Sequence, residues 1–581
     1  LNTQLARNLV STARLIVSNV SDDPSYFALQ SARKFRNNVV VKSIDRILGQ
    51  RTAPLVARSF SAMLRDDKAD LHMSCQRWLS DSDNGRGAVF LANLCTASGD
   101  WAMAEELLKR ATPSAASVRA RARLAWALGN MRDAIRILSE TSPGRQAKHY
   151  ASEALVFRGQ EPKLAPLNIP GFLENLTQKV VFLATNSLPH TGSGYAQRTQ
   201  SVLSALGDQG WVAKAATRVN YPLNIGQINA SMSDTVGSVE YERLIPSPAK
   251  HDLAGRIQQQ SEELLKKVLR ERPSVLHTTT DFSNALAVKA VSDATGIPWI
   301  YEVRGQLADT WLSTRPASAS TSERYRLFME REASAARAAN HVFTLGQAMK
   351  DNLVDAGVDA SKISIVPNAV GETFLEAPAG RRHSRLELGL NPDAFYVGTV
   401  SSLVPYEGLS VIVEAVAALS REFPNLRLLV VGDGTDRENL LRLAEKLGIA
   451  DRCEFPGRVP RGRAHLYHAA LNVFVVPRID SAVTRSVTPL KPVEAMASGV
   501  PVLASDLPAL RELIVDGENG HLVEPGNVGS WVSAIRNLIE QPELCSHLGK
   551  SGREFVLENR TWQQNAQKIV EVYEQVISKA S

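Results

Sequence analysis

Four charged side chains crowd one short stretch of this chain. After the apolar run NVFVVP come Arg478 and Arg485, and then TPLKPVEAMASGVPVLASD (488–506), with Lys491 at the N-terminal edge of a short helix and Glu494 in its first turn. Helix chemistry accounts for part of the pattern. Proline suits the first helical position, a carboxylate the positive end of the dipole and glycine the stop, together worth about 0.3–1 kcal/mol. A chemical reading goes further. Three cations beside a helix N-terminus make an anion site, each charge-assisted hydrogen bond contributing about 1.5–3 kcal/mol. A carboxylate is out of place against phosphate but suits the hydroxyls of a ribose. Read together, these residues predict a nucleoside diphosphate site.

Two other places could carry chemistry. Gly192-Ser193-Gly194, with Tyr195 and Arg198 following, joins the apolar run KVVFLATN (179–186) to a helix. Glycine lets backbone approach a phosphate or an acceptor closely, and the same residues also suit a tight turn. Arg304, in YEVRG, follows another apolar run, with Glu302 two residues before it. Charge stabilisation or acceptor binding is one role for Arg304, and a structural Arg–Glu pair is the other. Asp81-Ser82-Asp83 spells a metal-binding D-x-D, but it lies among helices and follows no strand, so no metal is expected. His465 and His468 read as surface or core residues.

The elements that must position these groups follow from length and pattern. The 581 residues predict two to four domains, and the 44% apolar and 22% charged fractions are ordinary for globular proteins. Residues 1–165 read as helix after helix. FLANLCTASGDWAMAEELLKRA (90–111) and RARLAWALGNMRDAIRILSE (121–140) each show two helices about a turn, at Gly99-Asp100 and Gly129-Asn130, and so resemble tetratricopeptide-like hairpins. From about 175 the pattern alternates strands and helices, restarts near 376, and ends in an amphipathic helix at 561–581. This predicts an α/β architecture: a first doubly wound domain (175–375), a second (376–560) and a closing helix, with a cleft at the carboxyl ends of the strands.

Bulk charge narrows the partners. The net charge is +6, and between Arg33 and Arg58 seven basic residues accompany one acidic residue, Asp45. That stretch reads first as a solvated helix face, and is also compatible with an anionic membrane surface, at about 1 kcal/mol per basic residue. There is no nucleic-acid motif and no basic stripe interleaved with aromatics, so no nucleic acid is expected. Four scattered cysteines, no apolar run of membrane-spanning length and no secretory layout predict a cytoplasmic protein, peripheral at most to the inner face of the membrane.

The two-sheet part, about 175–581, resembles the family 4 retaining glycosyltransferases of the GT-B fold. The motifs that carry the resemblance, in order, are SGYAQRTQSVLSALGDQGW, WIYEVRG, VPNAV, SLVPYEGL, VVGDG, FPGRVP, VPRID and TPLKPVEAMASGVPVLASD. The resemblance implies that Glu494 binds the donor ribose, that Gly457-Arg458-Val459 receives the base, and that Thr488, Pro489 and Leu490 lie along the donor sugar. Two departures stand out. The family's E-x7-E has Val487 in place of its first glutamate, and its GRL-x-x-x-KG has Ser402 and Glu407 in place of arginine and lysine, ahead of Gly408. Arg478, Arg485 and Lys491 are expected to compensate, with Arg478, Lys491 and Arg304 as the catalytic cations, while Glu407 is free to bridge to Lys491 or Arg478. The implied reaction is metal-independent and cofactor-free. It transfers a sugar from a nucleotide sugar, UDP first and GDP second, to a glycan or lipid-linked acceptor in surface polysaccharide synthesis, with retention. The rival readings are a weak or inactive scaffold whose helical region recruits protein partners, and a sugar-nucleotide epimerase on the same fold.

Overall fold

The computed structural model describes residues 3–22, 24–34, 53–81, 87–140, 144–167 and 177–580, with 45, 48, 50 and 85. Most of the basic stretch between Arg33 and Arg58, and Ser82 and Asp83 of the D-x-D, lie outside the described residues.

Two parallel sheets form the α/β part. The first holds β1 (Thr177–Ala184), β2 (Val212–Thr217), β3 (Ser233–Val236), β4 (Val239–Arg243), β5 (Pro273–Thr279), β6 (Trp299–Val303), β7 (His341–Thr344) and β8 (Ile363–Ile365), in the order β3-β4-β2-β1-β5-β6-β7-β8. Only β3 runs antiparallel, as an edge hairpin with β4. The second holds β9 (Phe395–Val400), β10 (Leu426–Val431), β11 (Cys453–Gly457), β12 (Val473–Val476), β13 (Val502–Ser505) and β14 (His521–Val523), in the order β11-β10-β9-β12-β13-β14. Strands such as β5, β6 and β12 are buried along their whole length, because helices cover both faces of each sheet. Continuous apolar runs made these strands legible in the sequence. β2, β3, β4 and β14 carry exposed or polar residues, or are three residues long, and give no such run.

The last helix, Trp562–Ala580, does not pack on the domain that precedes it. Trp562, Ala566, Ile569 and Tyr573 pack with Val180, Phe182 and Val275 of the first domain. The chain crosses back where the Val370 N–H donates to Arg560 O (2.9 Å) and the Trp562 N–H to Val370 O (3.2 Å). The two domains are thereby linked twice.

The N-terminal helices pair about the expected turns. Gly99 and Gly129 take positive φ (81° and 91°), and Asp100 caps the helix Trp101–Arg110 through the Met103 N–H. This part is fused to the first α/β domain. Met131, Val156 and Phe157 belong to the same apolar core as Leu276, Phe282 and Phe328, and Arg324 donates to Gly129 O through its N–H (3.0 Å).

Candidate active site

A cleft of about 340 Å³ opens between the carboxyl ends of the two sheets, where the strand order of each reverses: after β1 in the first and after β9 and β12 in the second. Ser193, Gly194, Tyr195, Arg198, Arg304 and Asn368 line it from one domain. Ser402, Glu407, Arg478 and Val487 to Pro492 line it from the other.

The Gly-rich loop enters from β1. Ser193 caps the helix Gly194–Asp208 by accepting from the Ala196 N–H (3.2 Å), which leaves the Gly194 and Tyr195 N–H groups without an acceptor among the described residues. A Cβ on Gly192 or Gly194 would meet no atom within 4 Å, so the space above the loop is open. The loop is braced from behind by residues the sequence did not single out. Arg243 donates to Ser187 Oγ (2.6 Å), and the Tyr221 hydroxyl donates to Ser187 O (2.8 Å) and pairs with Thr191 Oγ1 (2.7 Å).

Arg304 and Arg198 share one carboxylate. Glu302 accepts from Arg198 Nε (2.8 Å) on one oxygen, which Arg198 Nη2 also approaches to 2.6 Å while donating to Val366 O, and from Arg304 Nε (2.9 Å) and Nη2 on the other. All three side chains are buried. Burial pushes the Glu302 carboxyl up, but the two guanidiniums overcome it and hold the group well below the usual carboxylate range. Arg304 Nη1 also donates to Tyr195 O and Thr199 Oγ1 (both 2.8 Å). Arg304 therefore clamps the start of the Gly-rich helix, and of the two roles read from the sequence its hydrogen bonds fit the structural pair.

Arg478 is likewise engaged. It donates to Glu407 through Nε (3.1 Å) and Nη2 (2.8 Å), and to Val487 O through Nη1 (2.7 Å). This is the bridge anticipated for Glu407. Gly408 makes it geometrically feasible: its φ is +67°, and a Cβ there would lie 2.1 Å from Pro477 O. Val487, in the place of the family's glutamate, packs against the core of the first domain.

Glu494 and Lys491 meet as an ion pair of 2.8 Å on the first turn of the helix Lys491–Ala497. Burial would raise the Glu494 carboxyl, but Lys491 and His468 hold it down at about 2. Across the cleft, Asn368 Nδ2 donates to Thr488 O (2.9 Å). A second inter-domain contact stands nearby, where the Glu512 carboxylate accepts from the Gln347 and Ala348 N–H groups (both 2.8 Å).

Two groups named from the sequence lie outside the lining of this cavity. Arg485 does not line the cleft: its exposed guanidinium pairs with Asp480, because the short helix Ala482–Ser486 turns it to solvent. Gly457, Arg458 and Val459 stand at the end of β11, two strands away from β9, outside the lining of this cavity. Among the described residues no cluster of three or more His, Cys, Asp or Glu could hold a metal ion.

Fold and cleft define a GT-B architecture, two Rossmann-like domains facing each other across a ligand site. Residues 193–369 match the glycosyl transferase 4-like domain model and residues 380–555 the glycosyl transferases group 1 model, one for each of the two α/β domains. A GDP-mannose-dependent alpha-(1-6)-phosphatidylinositol monomannoside mannosyltransferase of Mycolicibacterium smegmatis is 30% identical over 218 residues, 37% of this chain and 57% of that protein. A D-inositol 3-phosphate glycosyltransferase of Segniliparus rotundus is 32% identical over 199 residues, 33% of this chain and 43% of that protein. The chain thus spans about half the length of these curated relatives. Sucrose-phosphate synthase of Thermosynechococcus elongatus shares the fold at a TM-score of 0.59 and 20% identity, covering 69% of this chain and all of that one. HepE of Anabaena, solved with UDP, shares it at 0.54 and 18%, covering 68% and 100%.

Proposed function

We propose that the protein is a retaining glycosyltransferase that moves a sugar from a nucleotide sugar to a hydroxyl of a glycan or lipid-linked acceptor. The observation that carries the reading is the pairing, in one inter-domain cleft, of a buried charged carboxylate, Glu494, with diphosphate-binding groups on both walls. Those groups are the free N–H groups of Gly194 and Tyr195 and the half-exposed ammonium of Lys491.

In this reading Glu494 takes the ribose diol. The N-terminus of the helix Gly194–Asp208 and Lys491 take the diphosphate as it gains charge in an oxocarbenium-like transition state. The leaving phosphate accepts the acceptor's proton, and no side chain acts as covalent nucleophile. Arg478 acts through Glu407 and Val487, shaping the wall that Ser402 and Thr488 share. Thr488, Pro489 and Leu490 run along the donor sugar. The named relatives include a GDP-mannose-dependent enzyme, and HepE is solved with UDP, so UDP and GDP are the leading donor bases. A membrane-borne acceptor at the inner face of the membrane, near the basic N-terminal stretch, is part of the same proposal.

A second reading, a weakly active scaffold, draws on the neutralisation of the cleft. Arg198 and Arg304 share Glu302, Arg478 holds Glu407, and Lys491 holds Glu494. Nucleotide release separates the two readings. It is measured from UDP-, GDP-, ADP- and dTDP-sugars with and without a glycan mixture, for the wild type and Glu494→Ala. Acceptor-stimulated release from one donor, lost in the variant, is the expected result. Nucleotide binding with no release across the panel would favour the scaffold, and no nucleotide binding would remove the reading altogether.

A further inference from the structure

Glu494 is held from beneath by a residue that the sequence reading set aside. His468, on the helix Arg461–Ala470, is fully buried. Its ring stacks on Phe474 (centroids 5.4 Å apart, 27° between planes) and meets Phe374 edge-on (5.9 Å, 78°). Its Nε2 lies 3.4 Å from Glu494 Oε2, the nearest carboxylate oxygen, and neither ring nitrogen makes a hydrogen bond to any of the described residues. Lys491 Nζ reaches the same Oε2 from the cleft side at 2.8 Å. Oε1 accepts from no donor among the described residues. An ammonium and an imidazole thus converge on one carboxylate oxygen and leave the other for a ligand.

Resting on the reading of Glu494 as the ribose ligand, we propose that His468 is a positioning residue. It fixes the rotamer of Glu494 so that Oε1 meets the ribose diol, and thereby sets the preference of the site for ribonucleotides. Lys491 cannot do this alone. Its flexible, partly exposed stem follows the carboxylate rather than restraining it, whereas an imidazole wedged between two phenylalanines has no freedom to follow. Burial holds His468 below the ordinary histidine range, so the ring is neutral near pH 7. Its one N–H is then available to donate from Nε2 to Glu494.

The test compares binding of UDP and GDP with binding of their 2′-deoxy counterparts, by calorimetry, in full-length wild type, Glu494→Ala, His468→Phe and His468→Gln. Phenylalanine keeps the aromatic packing and removes the N–H, while glutamine restores a donor near the position of Nε2. The wild type is expected to prefer the ribonucleotide about tenfold, the size of one hydrogen bond to a charged group. Glu494→Ala and His468→Phe are expected to lose most of that ratio, and His468→Gln to recover part of it. Equal weakening of both nucleotides in His468→Phe, with the ratio intact, would overturn the inference while leaving Glu494 as the ribose ligand. An unchanged ratio in Glu494→Ala, or a wild type that binds neither nucleotide, would overturn the ribose reading and this inference together.

Discussion

Replacing Glu302 by glutamine is expected to destabilise the protein more than any other single change of one charge in the cleft. The carboxylate is buried and paired with both guanidiniums, accepting one bond from Arg198 on one oxygen and two from Arg304 on the other. Glutamine keeps one acceptor oxygen and turns an NH2 toward the other arginine; where the NH2 faces Arg304, that guanidinium loses both bonds and meets a donor. Two charge-assisted bonds at about 1.5–3 kcal/mol each give a loss of about 3–5 kcal/mol, the range for breaking one side of a buried ion pair. For a domain of this size that is a fall of roughly 6–20 °C in the first unfolding transition, at about 2–4 °C per kcal/mol. The assay is differential scanning calorimetry with and without saturating nucleotide, so that the domains are resolved. A shift below about 2 °C would refute the reasoning, because it would mean that the arginines find other acceptors and that Glu302 is not their anchor. Arg304 holds Tyr195 O, so a loosened Gly-rich loop and weaker nucleotide binding should accompany the thermal loss.

Other consequences follow from the same geometry. Lys491→Ala is expected to lower the rate about a hundredfold or more, as loss of a donor to developing charge does, whereas Arg485→Ala should leave it within about twofold; steady-state kinetics decides. Gly408→Ala should fail to fold or lose nucleotide binding, since the new methyl would lie 2.1 Å from Pro477 O at a φ of +67°; thermal shift and binding report it. Glu494, held near 2 against a usual 4.5, contributes stability above pH 4.5 that is lost as pH falls toward 2, so nucleotide binding should stay flat between about pH 8 and 5 where this group is concerned. His277, which burial lowers to about 3 from 6.5, contributes stability above pH 6.5 that is lost as pH falls through 3; His277→Asn should flatten the acid side of the stability profile.

Much of the frame was legible before any coordinates. Fully buried strands declare themselves as apolar runs, and glycines forced by close approach stand out in their motifs, as Gly408 does in YEGL. Glu494 stood out because it is a carboxylate in the first turn of a helix of small residues with three cations nearby in the sequence. The hairpin β3–β4 was not legible, since SDTV and VEYER hold no run of apolar residues that would set them apart from a loop.

What the sequence by itself determined is which buried strands form and that charged residues gather where those strands end. Only the tertiary structure decided how those charges are spent. Arg198 meets Glu302 across 104 residues, and Arg478 meets Glu407 across 71, so cations that look free in the linear chain already hold carboxylates in the fold. His468 looked inert until the fold placed its ring under Glu494. Local sequence dictates backbone through sterics and burial pattern, whereas the pairing of a long charged side chain depends on which distant carboxylate shares its low-dielectric surroundings, and only packing settles that.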